Sequence, residues 1–214
     1  QLLQTSAKTT KAMLAGGVEV AQTIGDELTV EVEAIADFQR ELDNIAQFND
    51  QTTALTNEAF TKVNIQRQLN DQPVSIIHWK THGVFSSNPD QTYLVAYNEL
   101  IRPKELSQLL YQQNAPDATI DLLVLSACES AQGDNRAVLG LAGIALRAGA
   151  STTISTLWKA EDMANTELMT AFYRQLSQPD TSKAEALHQA QQAIFAQDPD
   201  PSVWGNYILV GNWQ

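Results

Sequence analysis

One cysteine stands in 214 residues, Cys128, and it follows an apolar run, Asp121-Leu122-Leu123-Val124-Leu125, inside the segment Ser126-Ala127-Cys128-Glu129. Forty-six residues earlier (128 − 82 = 46), Trp79-Lys80-Thr81-His82-Gly83 closes a second apolar run. A thiol and an imidazole can share one piece of chemistry. A cysteine thiol has an ordinary pKa of about 8.5, so only a few per cent is thiolate at neutral pH. A neighbouring imidazole takes that proton, or as imidazolium stabilises the thiolate, and later protonates a leaving amine. A tetrahedral intermediate also needs donors for its oxyanion. The backbone N–H groups of Gly83 and Cys128 are candidates, since glycine lets a substrate approach the main chain closely. Losing one such donor costs about 3 to 4 kcal/mol of barrier lowering.

Each of these residues has a plainer role open to it. A cysteine beside a buried strand serves as a small hydrophobe, and His-Gly often marks only a turn. His78 lies inside the strand and points away from Trp79 by alternation, so it reads as a core or interface histidine. His188 reads as the solvated side of the last long helix. Three histidines and one cysteine without clustered ligands predict no metal site and no cofactor.

The elements that must position the pair alternate along the chain. The pattern predicts a first strand in MLAGGVEV, then a helix over 27–45 carried by Val30, Ala34, Ile35, Phe38, Leu42 and Ile45. A short TTAL strand follows, then a helix capped by Thr56 or Asn57 and reaching Leu69. Strands are expected at 74–79, 92–97, DLLVLS, STTISTLW and 207–210. Helices are expected from Pro103 to Leu110, in NRAVLGLAGIALRAGA ended by Gly149, in EDMANTELMTAFYRQL, and after Ser182 with Glu185 completing a capping box. This order implies an α/β fold, a mostly parallel central sheet with helices on both faces. Ligands of such sheets sit outside the carboxyl ends of the strands. His82 and Cys128 both fall there.

Composition sets the outer limits. A chain of this length with 43% hydrophobic residues can bury one sizeable core. A net charge of −12 argues against nucleic acid or an anionic membrane surface, which need clustered Lys and Arg. No run of 18 apolar residues predicts a membrane span. The chain begins at Gln1 and so reads as a fragment or processed product, with anything upstream out of view. One cysteine closes no internal disulfide and leaves the compartment open, with the cytoplasm as the expectation.

The segments HWKTHGVF, LLVLSACESAQGD, GLAGIALRAGA, STLWKAEDMANTELMTAFYRQL, KAEALHQAQQAI and WGNYILVGNW, in this order, resemble the CHAT domain. That is the caspase-like domain found beside tetratricopeptide repeats, notably in bacteria. The 46-residue interval also lies near the roughly 50-residue His-to-Cys spacing of caspase-type chains. The resemblance implies a caspase-like three-layer sandwich over 16–214, with 1–15 a poorly specified leading segment. It also implies His82 as general base, Cys128 as nucleophile and Gly83 at the oxyanion position. Asp162 matches a recurrent family acid that helps to build the pocket. Two positions depart from the family pattern: Trp79 and Lys80 precede Thr81-His82-Gly83 in place of small or apolar residues and would reshape or occlude the cleft, and Ser130 stands where Thr is common. Glu129, Asp134 and Asp162 could pair a basic substrate side chain or be solvated carboxylates of an acidic chain. The expected function is a cysteine endopeptidase acting on a protein or peptide, regulated by upstream tetratricopeptide repeats or a partner protein. The alternatives are a catalytically silent scaffold for protein–protein interaction and a thiol amidase acting on small amides.

Overall fold

The computed structural model describes residues 11–25, 29–86, 88–111, 119–126, 143–158 and 162–214. In chain order the elements are β1 (Met13–Gly17), β2 (Gln22–Ile24), β3 (Val30–Val32), α1 (Phe38–Ala46), β4 (Thr52–Thr56) and α2 (Lys62–Asp71). Next come β5 (Ile76–Lys80), β6 (Gly83–Val84), β7 (Tyr93–Ala96), β8 (Glu99–Ile101), α3 (Pro103–Leu110) and β9 (Leu122–Leu125). The series ends with β10 (Thr152–Thr156), α4 (Asp162–Leu176), α5 (Lys183–Phe195), α6 (Pro201–Trp204) and β11 (Tyr207–Gly211).

The main sheet has the order β11-β10-β9-β5-β1-β4, parallel except for β11, which runs antiparallel to β10. Its central strands are buried on both faces, which is why they read as unbroken apolar runs rather than alternating ones. On one face Leu14, Ile77, Trp79, Leu123 and Leu125 pack with residues of α2 and α3 and with Ala145 of the helical stretch 143–147. On the other, Met13, Ile76, Leu122, Val124 and Ile154 pack with residues of α1, α4 and α5. These are three layers, helices over sheet over helices, as the sequence predicts.

Two small sheets stand beyond the carboxyl ends of the central strands. The β2–β3 hairpin follows β1, and the β6–β7–β8 meander follows β5. They share a cluster of Ile24, Val30, Val32, Tyr93, Val95 and Leu100. Gly17 lets the end of β1 lie against the end of β5: a Cβ there would come 1.7 Å from the carbonyl oxygen of Lys80.

The predicted helix over 27–45 is corrected. Val30 and Val32 belong to a strand and are buried with Glu31 exposed between them. The helix proper begins at Phe38, after Asp37 takes a left-handed conformation at φ 53°. The spacing fitted a helix because Ile35 is buried from a loop, in phase with the stripe of α1. Thr61, not Thr56 or Asn57, caps α2 by accepting from the Asn64 N–H. Strands β2, β6 and β8 and the helix α6 are not expected from the sequence. The segment 127–142 lies outside the described residues, and with it Cys128, Glu129, Ser130, Asp134 and most of the predicted small-residue helix.

Candidate active site at the carboxyl edge of the sheet

His82 lies between β5 and β6, and β7 holds its backbone in place. The Thr81 hydroxyl donates to the Val95 carbonyl at 2.6 Å, and the Val95 N–H donates to the His82 carbonyl at 2.8 Å. The ring, half-buried, donates from Nε2 to the backbone carbonyl of Glu33 at 2.8 Å. A carbonyl oxygen only accepts, so Nε2 carries a proton. Sequence reasoning found no orienting group for His82, because a main-chain carbonyl has no residue-type signature.

Glu33 lies between β3 and α1, and that segment is pinned at several points. Ile35 donates its N–H to the Glu19 carbonyl at 2.9 Å and is buried. Ala36 donates its N–H to Oδ2 of Asp162, the first residue of α4, at 3.1 Å. Asp162 therefore ties the approach to α1, the stretch carrying the carbonyl that orients His82.

The other half of the predicted pair enters from β9. Leu125 is in register with Trp79, and the Ser126 N–H donates to the Trp79 carbonyl at 2.9 Å. The buried Ser126 hydroxyl and that of Tyr207 are 2.8 Å apart. The chain thus leaves β9 beside the end of β5, at the edge where His82 sits. The loop after β10 adds Trp158, partly exposed and anchored through Nε1 to the Ser202 carbonyl at 3.0 Å.

Gly83 pairs with Leu94 across β6 and β7. The bond from Val95 to His82 brackets this pair, so by the alternation of antiparallel ladders it is the non-hydrogen-bonded kind. The ladder leaves the Gly83 N–H unused, as an oxyanion donor requires. Side-chain space is scarce: a Cβ would stand 2.9 Å from Leu94 Cδ2 and 3.2 Å from the Tyr93 carbonyl oxygen.

The side chains of Trp79 and Lys80 are buried. The Trp79 ring is 0% exposed and packs edge-on against Phe60 at 5.6 Å. Lys80, 1% exposed, turns to the opposite face, where its Nζ donates to Glu41 Oε2 at 2.7 Å. Strand alternation sends the two side chains into opposite helical layers, so neither is presented at this edge.

Lys80 belongs to a buried polar network that sequence reasoning missed. Glu41 lies on α1 and is 0% exposed; its Oε1 accepts from His78 Nε2 at 2.9 Å, and its Oε2 also accepts from the Thr166 hydroxyl at 3.2 Å. His78 Nδ1 lies 3.1 Å from the hydroxyl of buried Tyr173. Burial opposes ionisation of Glu41, but the Lys80 charge and the contacts of His78 prevail, and its pKa falls from 4.5 to about 2. Burial, helped by the Glu41 charge, pushes Tyr173 well above 10. Its hydroxyl keeps its proton, and His78 Nε2–H serves the carboxylate. A signal existed in the sequence: Glu41 shares the helical stripe of Phe38, Leu42 and Ile45, and a carboxylate on a buried stripe needs a partner. His188 is exposed on α5, as expected. Among the described residues no group of His, Cys, Asp or Glu converges as metal ligands, and no helix is long and apolar enough to cross a membrane.

The family model of the CHAT domain matches residues 2–212. No curated protein matches the sequence. Among solved structures, the Arg-specific cysteine proteinase gingipain R superposes with a TM-score of 0.63 at 11% identity, over 94% of this chain and 46% of the other. The complex of the Porphyromonas gingivalis RgpB pro- and mature domains gives 0.61 at 12% identity, over 94% and 47%. Protein GSU0716 from Geobacter sulfurreducens gives 0.54 at 15% identity, over 94% and 93%. The chain thus spans about half the length of the gingipain chains. At these identities the likeness concerns the fold, a caspase-like α/β sandwich.

Proposed function

Because the chain belongs to the CHAT domain family, a family of caspase-like cysteine peptidases, we propose that it is a cysteine endopeptidase working through a Cys128–His82 dyad. The observation that carries this reading is the bond from His82 Nε2 to the Glu33 carbonyl. It fixes one ring nitrogen of His82 at the edge where the strand leading to Cys128 also ends, and leaves Nδ1 for the base. In the proposed reaction the Cys128 thiol gives its proton to Nδ1, and the thiolate sulfur bonds to the scissile carbonyl carbon. The Gly83 and Cys128 N–H groups hold the oxyanion. The C–N bond then breaks as the imidazolium returns the proton to the departing amine, leaving a thioester. Water, deprotonated by His82, hydrolyses the thioester and frees the thiol.

The substrate in this reading is a protein or peptide with a basic residue before the cut. Glu129, Asp134 and Asp162 supply negative charge, and the gingipain neighbour is described as Arg-specific. Upstream tetratricopeptide repeats or a partner protein would restrain or deliver the activity. The silent-scaffold alternative supposes a site blocked or misaligned at Trp79 and Lys80; the burial of both side chains speaks against blocking and leaves misalignment to the test below.

The test is labelling with a peptidyl electrophile carrying Arg or Lys at its terminal position. The electrophile should modify Cys128 in the wild type and leave His82→Ala unmodified, while Cys128→Ala loses all hydrolysis yet melts near the wild-type temperature. Undiminished function in Cys128→Ala sinks the proposal in favour of a scaffold. Turnover of small amides without cleavage of extended peptides sinks it in favour of an amidase.

A further inference from the structure

We propose that the buried Lys80–Glu41 pair is a positioning device that sets the His82 imidazole, through the segment that carries the Glu33 carbonyl. The inference rests on the peptidase reading only for its consequence in catalysis; the contact it concerns stands apart from that reading.

Lys80 lies two residues before His82 on one segment, and Glu41 lies eight residues after Glu33 on the other. The two segments are therefore joined twice. At the partly exposed edge of the sheet the His82 ring donates to the Glu33 carbonyl at 2.8 Å. Beneath the sheet, the ammonium of Lys80 meets the carboxylate of Glu41 at 2.7 Å, with side chains 2% and 0% exposed. A charge-assisted contact excluded from water is the stiffer of the two, and it fixes how far α1 stands from the end of β5. The carbonyl's distance from the ring follows from that spacing.

The same carboxylate is held laterally. His78 takes its other oxygen and Thr166 of α4 shares the first, while Asn44 of α1 donates to the Thr170 hydroxyl of α4 at 3.0 Å. Tyr173 closes the chain on His78. α1 is thereby fixed against the sheet and against α4 at once. Packing alone would fill this volume more simply with apolar groups, since a buried ion pair contributes little net stability over well-packed hydrophobic residues. Positional definition is what the charged pair adds.

The double variant Lys80→Met with Glu41→Gln removes both charges together, so neither is left buried alone. It should fold and melt close to the wild type. In it, the rate of Cys128 alkylation by iodoacetamide at neutral pH and kcat should both fall about tenfold or more, with KM within about twofold, since a displacement near 1 Å costs up to about 10²-fold in rate. The downfield imidazole N–H resonance of His82, which reports the bond to Glu33 with no substrate present, should broaden or move. A double variant with wild-type alkylation, kcat and His82 resonance overturns the proposal and leaves the pair as packing. Should the double variant not fold, Glu41→Asp keeps the charges and shortens the link by one methylene; a Glu41→Asp protein with unchanged His82 resonance and alkylation equally overturns it. A wild type that hydrolyses nothing sinks the peptidase reading alone, because the resonance still tests the positioning.

Discussion

Glu33 precedes His82 by 49 residues, yet its carbonyl oxygen lies 2.8 Å from the ring Nε2. The bond puts a proton on Nε2 and leaves Nδ1 for the base role proposed for it. It also gives His82 an orienting partner that no side-chain substitution at position 33 removes. Glu33→Ala should therefore keep catalysis within about threefold of wild type, whereas His82→Ala should lose about 10²- to 10⁴-fold in kcat/KM, the range for a missing general base. Steady-state kinetics on a fluorogenic peptide reads both. A collapse in Glu33→Ala equal to that in His82→Ala would place the role on the carboxylate and count against the backbone assignment.

Asp162 offers two roles that substitution separates. Its Oδ2 accepts from the Ala36 N–H at 3.1 Å and so pins the approach to α1. Asp162→Asn retains an acceptor and loses the charge, while Asp162→Ala loses both. A pinning role predicts near wild-type kcat in the Asn variant and a several-fold fall in the Ala variant, in keeping with a hydrogen bond worth about 0.5–1.5 kcal/mol. A substrate-charge role predicts instead that both variants raise KM for peptides with Arg before the cut. Profiling all three proteins against a peptide library decides between them, and a wild-type preference for neutral or acidic residues at that position removes the basic-substrate expectation.

The strands that position the site were legible because burial on both faces writes itself as an unbroken apolar run, clearest in Leu122 to Leu125 and Ile76 to Trp79. Pro103 and the capping serine Ser182 placed α3 and α5 for local reasons. The region of β3 reads as helix because Val30, Ile35 and Phe38 satisfy helical spacing while a strand, a loop and α1 bury them. His82 could be singled out by type and place, but its partner could not: a carbonyl exists at every position, and only the fold chooses Glu33. Lys80 looked obstructive in the sequence, since alternation alone does not reveal that a carboxylate waits beneath the sheet. Glu41 is legible in the sequence as a carboxylate on the apolar stripe of α1, between Phe38 and Leu42.

Gly83 is constrained by its neighbours, and its main chain is constrained by the reaction proposed for it. A Cβ at this position would press on Leu94 Cδ2 at 2.9 Å, the Tyr93 carbonyl oxygen at 3.2 Å and Phe85 Cζ at 3.3 Å. The Leu94 side chain can give way, but the Tyr93 carbonyl belongs to β7 and resists, so the strain moves the Gly83 backbone. Gly83→Ala should cost about 1–3 kcal/mol of stability. Its kcat should fall by up to about 10²- to 10³-fold, as for loss of one oxyanion donor. Thermal melting and kinetics below the melting transition separate the two effects. Gly83→Ala with wild-type kcat would mean that this N–H does not face the oxyanion.

Acid should unmake the network under the sheet before it touches the apolar core. The Glu41 carboxyl is held at about 2 in the folded chain against an ordinary 4.5. A depressed folded pKa stabilises the native state above the unfolded value, and the contribution is lost as pH falls from 4.5 through 2. The difference of 2.5 units corresponds to roughly 3 kcal/mol at about 1.4 kcal/mol per unit. The melting temperature should thus be level in this contribution above about pH 5 and decline steeply below pH 4.5. Glu41→Gln removes the titrating group and strands the Lys80 ammonium in an apolar layer, which should lower stability at pH 7 by about 3–5 kcal/mol. It should also flatten the decline between pH 4.5 and pH 2, because other carboxylates alone remain to titrate. Melting curves at half-unit pH intervals test both parts. If the variant and the wild type ran parallel through the acid range, Glu41 would not be the carboxylate whose ionisation holds α1 to the sheet.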